Sequence, residues 1–207
     1  MTLVLTGITV VCVGILAMVN EVTKAPIAAA NAKTLSDAVS AVVPGFDNDP
    51  IADKKTEVID GVEFTIYPAT KGGESIGAAV ESTAMGFGGD LTILVGFNKD
   101  GKINDYSLLN HAETPGLGAK ADTWFKSGNK GDITGKSPKD GALTVSKDGG
   151  QIDAITASTI TSRAFLKAVN AAYAAFSGQQ VDGSTGATQQ ATAQANVEQA
   201  TSKGAAN

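Results

Sequence analysis

The chain has 207 residues, 43% of them hydrophobic, with 24 glycines and a formal net charge of −5. That charge, with lysines scattered among acids and no basic run, argues against a nucleic-acid partner, because phosphate binding needs a concentrated basic surface. A single cysteine, Cys12, and a single histidine, His111, exclude an intrachain disulfide, a Cys/His zinc cluster and four-thiolate iron–sulfur ligation, so any redox chemistry must sit on an organic cofactor.

Thr2 to Val19 is an uncharged apolar run of about 18 residues, which as a helix spans roughly 27 Å, close to one bilayer core. The hydroxyls of Thr2, Thr6 and Thr9 can bond back to the helix backbone, and Glu21 and Lys24 mark the return to water. A cleaved signal peptide calls for a basic n-region, which does not precede Leu3, so the expectation is a retained anchor over residues 1–20 in contact with membrane lipid. Flanking charge gives no orientation, since the N-terminal flank is missing. Residues 21–44 have helical composition and stop at Pro44-Gly45, predicting a helical connector continuous with the anchor.

Short apolar or alternating runs follow at Thr56–Tyr67, Ser75–Ser82, Leu91–Phe97 and Lys102–Asn110. Asn98-Lys-Asp-Gly101 reads as a hairpin turn between the last two, and Lys147-Asp-Gly-Gly150 as a second, between Leu143–Ser146 and Gln151–Ile155. Two helices interrupt the β pattern: a short one over Ala119–Lys126 and a longer one over Ile160–Phe176. The longer one carries Ile160, Ala164, Ala168, Ala172 and Phe176 at i+4 spacing. The sum is an α+β domain over residues 45–176 with an antiparallel sheet. Residues 177–207 are Gln, Ala, Thr, Gly and Ser with almost no large apolar side chain, and are expected to be a disordered tail.

Two motifs carry little. Gly73-Glu-Ser75-Ile-Gly77 matches a serine-hydrolase elbow but opens a strand-like run where the elbow needs a helix. Gly131-Asp-Ile-Thr-Gly135-Lys136-Ser137 resembles a phosphate loop, but Lys130 stands where its first glycine belongs, and it reads as a solvated loop.

Two others carry more. His111-Ala-Glu113-Thr114-Pro115-Gly116-Leu117-Gly118 joins a strand to a helix through a loop stiffened by Pro and opened by Gly to close backbone approach. It is either a structural connection or a ligand loop. Asp153-Ala-Ile-Thr156-Ala157-Ser158-Thr159-Ile160-Thr161-Ser162-Arg163 places hydroxyls where a strand is expected to turn into the long helix. Free N–H groups and the helix dipole favour an anion there, although simple N-capping needs only one hydroxyl.

Together these motifs resemble the H-x-E-T-P-G-L-G signature and the D-x-x-S/T-G-A-T flavinylation segment of the FMN-binding subunits of Rnf and sodium-pumping NADH:quinone oxidoreductase complexes. The N-terminal anchor, the Gly86-Phe-Gly-Gly-Asp-Leu run and the motif order match as well. The resemblance covers roughly residues 1–176, and the short length is nearer the FMN-binding G subunit of Rnf than the longer C subunit of the quinone reductase. It implies an α+β FMN domain with FMN joined through its phosphate to Thr159 by a separate flavin transferase. Glu113, Thr114, Pro115, Gly116, Leu117, Gly118 and Lys120 would lie against the cofactor, with Thr156, Ala157, Ser158, Ile160, Thr161 and Ser162 around the attachment point.

It further implies an electron-transfer subunit, not catalytic alone, in an Rnf-type ferredoxin:NAD oxidoreductase complex coupled to Na+ or H+ translocation. Such a subunit is single-pass in the inner membrane, with its FMN domain on the extracytoplasmic side and the other subunits of the complex as partners. The family's Gly and Ala are Ala157 and Ser158 here. The tail also holds Asp182-Gly-Ser-Thr185-Gly-Ala-Thr188, a closer copy of the motif, but only Thr159 has the helix and the trailing Ile-Thr-Ser-Arg-Ala. The alternatives are a membrane-tethered module binding a non-covalent anionic ligand, and a structural assembly subunit that would tolerate Thr159→Val.

Overall fold

The computed structural model describes residues 2–59 and 61–178; the tail copy of the motif, with Thr188, lies outside them. Helix α1 runs from Thr2 to Val42 and includes Pro26, which gives up one backbone hydrogen bond. It is the one helix among the described residues that is long and apolar enough to cross a membrane. Thr9 Oγ1 donates to the Leu5 carbonyl at 2.9 Å, so its hydroxyl is satisfied within the helix, as expected of an apolar environment. The described residues divide into two compact units between Asp37 and Ala38, so the last turn of α1 belongs with the sheet domain.

Five strands, β1 (Lys55–Ile59), β2 (Val62–Lys71), β3 (Glu74–Met85), β4 (Asp90–Asn98) and β5 (Ile103–His111), form an antiparallel meander in chain order. The expected single run Thr56–Tyr67 is therefore two strands, turned between Ile59 and Val62. Gly72 and Gly73, both at positive φ, make the tight β2–β3 connection that right-twisted strands favour. The elbow-like Gly73–Gly77 segment is thus a hairpin end. At the β4–β5 turn the Asn98 side-chain oxygen accepts from the N–H groups of Asp100 and Lys102, both at 2.9 Å.

One face of the sheet packs against helix α3 (Thr159–Ser177). Val80, Leu91, Ile93, Val95, Phe97 and Tyr106 are buried there with Ala164, Phe165, Ala168, Val169 and Ala172. The alanines at i+4 spacing let α3 approach the sheet closely, while Phe165 stacks on Phe125 at 4.1 Å between centroids and meets Tyr106 edge-on at 4.8 Å. On the other face a Cβ at Gly96 would lie 2.1 Å from the Val42 carbonyl, so glycine is what admits the end of α1. Ala38, Val39, Val42 and Val43 are buried accordingly.

The short helix forms as a 3-10 turn (Gly118–Lys120) leading into α2 (Ala121–Trp124). The expected hairpin around Lys147–Gly150 does not form. Ser146–Asp148 is a 3-10 turn, and the flanking runs meet in one isolated bridge, Val145 to Ile152. No strand leads into α3; Ile155 to Ser158 is a turn. The Gly131–Ser137 segment is likewise a loop. Asp132 accepts from the N–H groups of Gly128 and Thr134, and Ser137 Oγ donates to the Gly101 carbonyl.

Candidate functional site

The loop after β5 and the start of α3 meet around one carboxylate. Glu113 is buried; its Oε1 accepts from the Phe87 N–H at 2.7 Å and its Oε2 accepts from Thr161 Oγ1 at 2.8 Å. Three chain segments distant in sequence are therefore tied to one side chain, and both of its buried carboxyl oxygens are met by hydrogen bonds as burial requires. The glycines around it are steric necessities. A Cβ at Gly86 would lie 2.0 Å from Glu113 Oε1, and one at Gly118 2.5 Å from Oε2.

Two further contacts fix the site's frame. Tyr106 Oη donates to the Ala121 carbonyl at 2.6 Å and accepts from the Phe125 N–H, anchoring α2 on the sheet. Burial pushes the Tyr106 hydroxyl well above the usual phenol range, so it stays a neutral donor. Trp124 Nε1 donates to the Asp153 carbonyl at 2.8 Å, holding the segment before α3 against α2.

Between these segments lies a pocket of about 200 Å³, lined by Phe87, Glu113, Thr114, Leu117, Gly118, Ala157, Ser158, Ile160 and Thr161. Eight of the expected site residues are thus brought together. Pro115, Gly116, Lys120, Thr156, Thr159 and Ser162 are not in the lining. Glu113 and Thr161 are already bonded to each other, and Ser162 is buried, donating to the Ser158 carbonyl and accepting from the Ile155 N–H. Those three side chains build the site more than they offer free polar atoms to a ligand. Phe87 is an addition to the expected residues, and its signal in the sequence is an aromatic set among glycines in Gly86-Phe-Gly-Gly. It is 68% exposed and Leu117 41%, a placement that leaves apolar surface at the pocket mouth.

Thr159 is the first residue of α3, between the pocket residues Ser158 and Ile160. Ser158 occupies the cap position but makes no capping bond, so capping does not account for the hydroxyl cluster. Thr159 Oγ1 instead accepts from Lys147 Nζ at 3.2 Å, a residue that the sequence marks only as part of a turn and not as part of the site. Ala157, two residues before Thr159, has φ +62°, the one non-glycine positive φ among the described residues. The family pattern's glycine at this point is the residue that such a turn accommodates without strain.

The donor set fits a flavin phosphate: apolar Phe87, Leu117 and Ile160 for a ring system, and a lysine with an uncapped helix start for the anion. Residues 86–174, which build this site, match the family model described as FMN-binding domain, and so the protein's class is that of an α+β FMN-binding domain. Similar proteins extend beyond that stretch. The chain is 35% identical to the G subunit of the ion-translocating oxidoreductase complex of Shewanella piezotolerans, over 78% of this chain and 81% of that protein. The Erwinia tasmaniensis G subunit is 36% identical over 75% and 79%, and that of Vibrio vulnificus 35% over 75% and 78%. The chain belongs to the family of G subunits of ion-translocating oxidoreductase complexes.

Proposed function

We propose that this protein is a membrane-anchored electron-transfer subunit that carries FMN as a phosphoester on Thr159. The observation that carries the reading is the position of Thr159. It opens α3 at the rim of a pocket made by the Glu113–Gly118 loop, with a cation on its hydroxyl. FMN supplies one- and two-electron chemistry that Cys12 and His111 cannot, and the relatives are named as subunits of ion-translocating oxidoreductases.

A pocket of about 200 Å³ supports a tether in particular. Sites that enclose a drug-sized ligand run to about 300–1,000 Å³, so this one grips part of a flavin nucleotide and leaves the rest accessible. Partial burial favours electron exchange with a partner but holds a free ligand weakly, and a covalent bond replaces that missing affinity by effective concentration. Attachment is a phosphoryl transfer. Thr159 Oγ1 bonds to the flavin phosphorus, the bond from that phosphorus to the leaving group of an activated flavin nucleotide breaks, and the hydroxyl proton passes to a base of the flavin transferase.

In this reading α1 holds the domain at the inner membrane on the extracytoplasmic side. The neighbouring subunits are those of an Rnf-type ferredoxin:NAD oxidoreductase, which couple electron flow to Na+ or H+ movement. The test is mass spectrometry of the protein co-expressed with the transferase, where cleavage after Lys147 and Arg163 isolates Thr159. An FMN adduct is expected on that peptide, and Thr159→Val should abolish it with the fold intact. Covalent flavin persisting in that variant would place the attachment elsewhere, Thr188 first. Flavin released on denaturation of the wild type would favour a non-covalent ligand module.

A further inference from the structure

We propose that Lys147 is the counter-cation of the phosphate carried at Thr159, and that the Asp148–Arg163 ion pair is what aims it. The proposal rests on Thr159 as the attachment residue and adds the groups that receive the charge.

The geometry is a two-rung ladder between the Ser146–Asp148 turn and the first turns of α3. Lys147 Nζ donates to Thr159 Oγ1 at 3.2 Å. The next residue, Asp148, accepts from Arg163 Nε at 2.7 Å and Nη2 at 2.6 Å. Thr159 and Arg163 are four apart and so lie on one face of the helix. The lower rung is the firm one, because it is bidentate and largely shielded, with side-chain exposures of 8% for Arg163 and 19% for Asp148. Packing fixes the turn from behind, through the buried Val145, its bridge to Ile152, and the Ser146 N–H donating to the Ile152 carbonyl at 2.8 Å.

The division of charge matters most. Asp148 is the carboxylate nearest to Lys147 in the chain, and Arg163 takes both its oxygens. Among the described residues Lys147 forms no ion pair, and its acceptor is a neutral hydroxyl. Holding a long, rotamer-rich ammonium chain against a neutral oxygen gains little, whereas a phosphodiester formed on that oxygen places a full negative charge within its reach. Thr159 also opens α3, whose cap residue Ser158 makes no side-chain capping bond, so the helix dipole adds to the lysine there. An ammonium on a lone pair of Oγ1 also leaves its proton free to depart on the side away from Lys147.

The test follows FMN incorporation into the full-length protein by the active transferase, with intact mass for the rate, peptide mass for the position, and the 31P resonance of the loaded protein for the phosphate's surroundings. Lys147→Met, which keeps an apolar stem, should slow incorporation by about ten- to a hundredfold, the worth of one charge-assisted hydrogen bond. It should also shift the 31P resonance and leave the thermal midpoint unchanged, since Lys147 is exposed. Lys147→Arg should restore most of the rate, and Asp148→Asn should give an intermediate loss. An adduct on Thr159 in the wild type, with Lys147→Met loading at the wild-type rate, would overturn the proposal and leave the attachment reading standing. Slow loading with an unchanged 31P resonance would overturn it too, because the lysine would then serve the encounter with the transferase. A wild-type adduct on any other residue would remove both readings together.

Discussion

Helices α1 and α3 are both rich in apolar residues, yet they meet opposite fates. From Val4 to Ile27 the large apolar side chains of α1 are 54–71% exposed, on every side of the helix. In α3 the residues from Thr161 to Ala175 are buried almost without a break, and the large side chains among them fill the sheet's core. Hydrophobicity alone does not separate these cases; arrangement does. A helix apolar all round, with no stripe, has no single partner surface and suits lipid, whereas small residues every fourth position with aromatics beside them describe a surface cut to a sheet.

That comparison can be broken most directly at Phe165. Its ring is wedged between Phe125 and Tyr106, so Phe165→Ala should cost about 3–5 kcal/mol of stability, read from urea unfolding of the detergent-solubilised protein. A loss under about 1 kcal/mol would mean that the core closes over the gap and that α3 is less tightly specified than its burial indicates. The counterpart in α1 is Val11→Arg. A charge near the middle of the span should raise the cost of membrane insertion by about 2.5–3.5 kcal/mol, seen as protein lost from the membrane fraction. The unfolding free energy of the sheet domain should stay within about 0.5 kcal/mol of wild type. If unfolding shifted as well, the N-terminal helix would be supporting the domain, and the contrast between the two helices would fail.

The same contrast explains what can be read from the chain. Anchor, hairpin strands and α3 are legible because each repeats a local pattern: an uncharged run, an Asp-Gly turn between alternating residues, an i+4 stripe. The family motifs locate the site loop and the start of α3. The Leu143–Ile155 region reads as a hairpin but is none: its two runs meet only in the parallel bridge of Val145 to Ile152, and the backbone of Leu143 is taken by a helix side chain instead. Asn170 takes both polar groups of Leu143, accepting from its N–H and donating to its carbonyl, each at 2.9 Å. No local pattern announces a partner 27 residues away. For the same reason the sequence does not show that Glu113 also ties the site together. Its ties to Phe87 and Thr161, 26 and 48 residues distant, exist only in the folded chain. Lys147 escapes notice because a lysine in an Asp-Gly-Gly turn reads as solvated until Thr159 is placed beside it.

The smallest expected effect lies where α3 begins. Ala157 sits at φ +62°, in the left-handed region where its Cβ crowds the following carbonyl, at a cost of roughly 1–2 kcal/mol. Ala157→Gly removes that crowding but gives the unfolded chain more freedom, which returns about 0.4–1 kcal/mol of the gain. The net should be a stabilisation of between zero and about 1.6 kcal/mol, raising the thermal midpoint by up to roughly 6 °C in a chain of this size. Because Ala157 lines the pocket, the same substitution also opens room beside Ser158 and should not slow FMN incorporation. A fall in the midpoint would show that the methyl group contributes contacts worth more than its strain. A rise would mean that α3, otherwise the better packed of the two helices, starts from a strained turn that the family's glycine relieves.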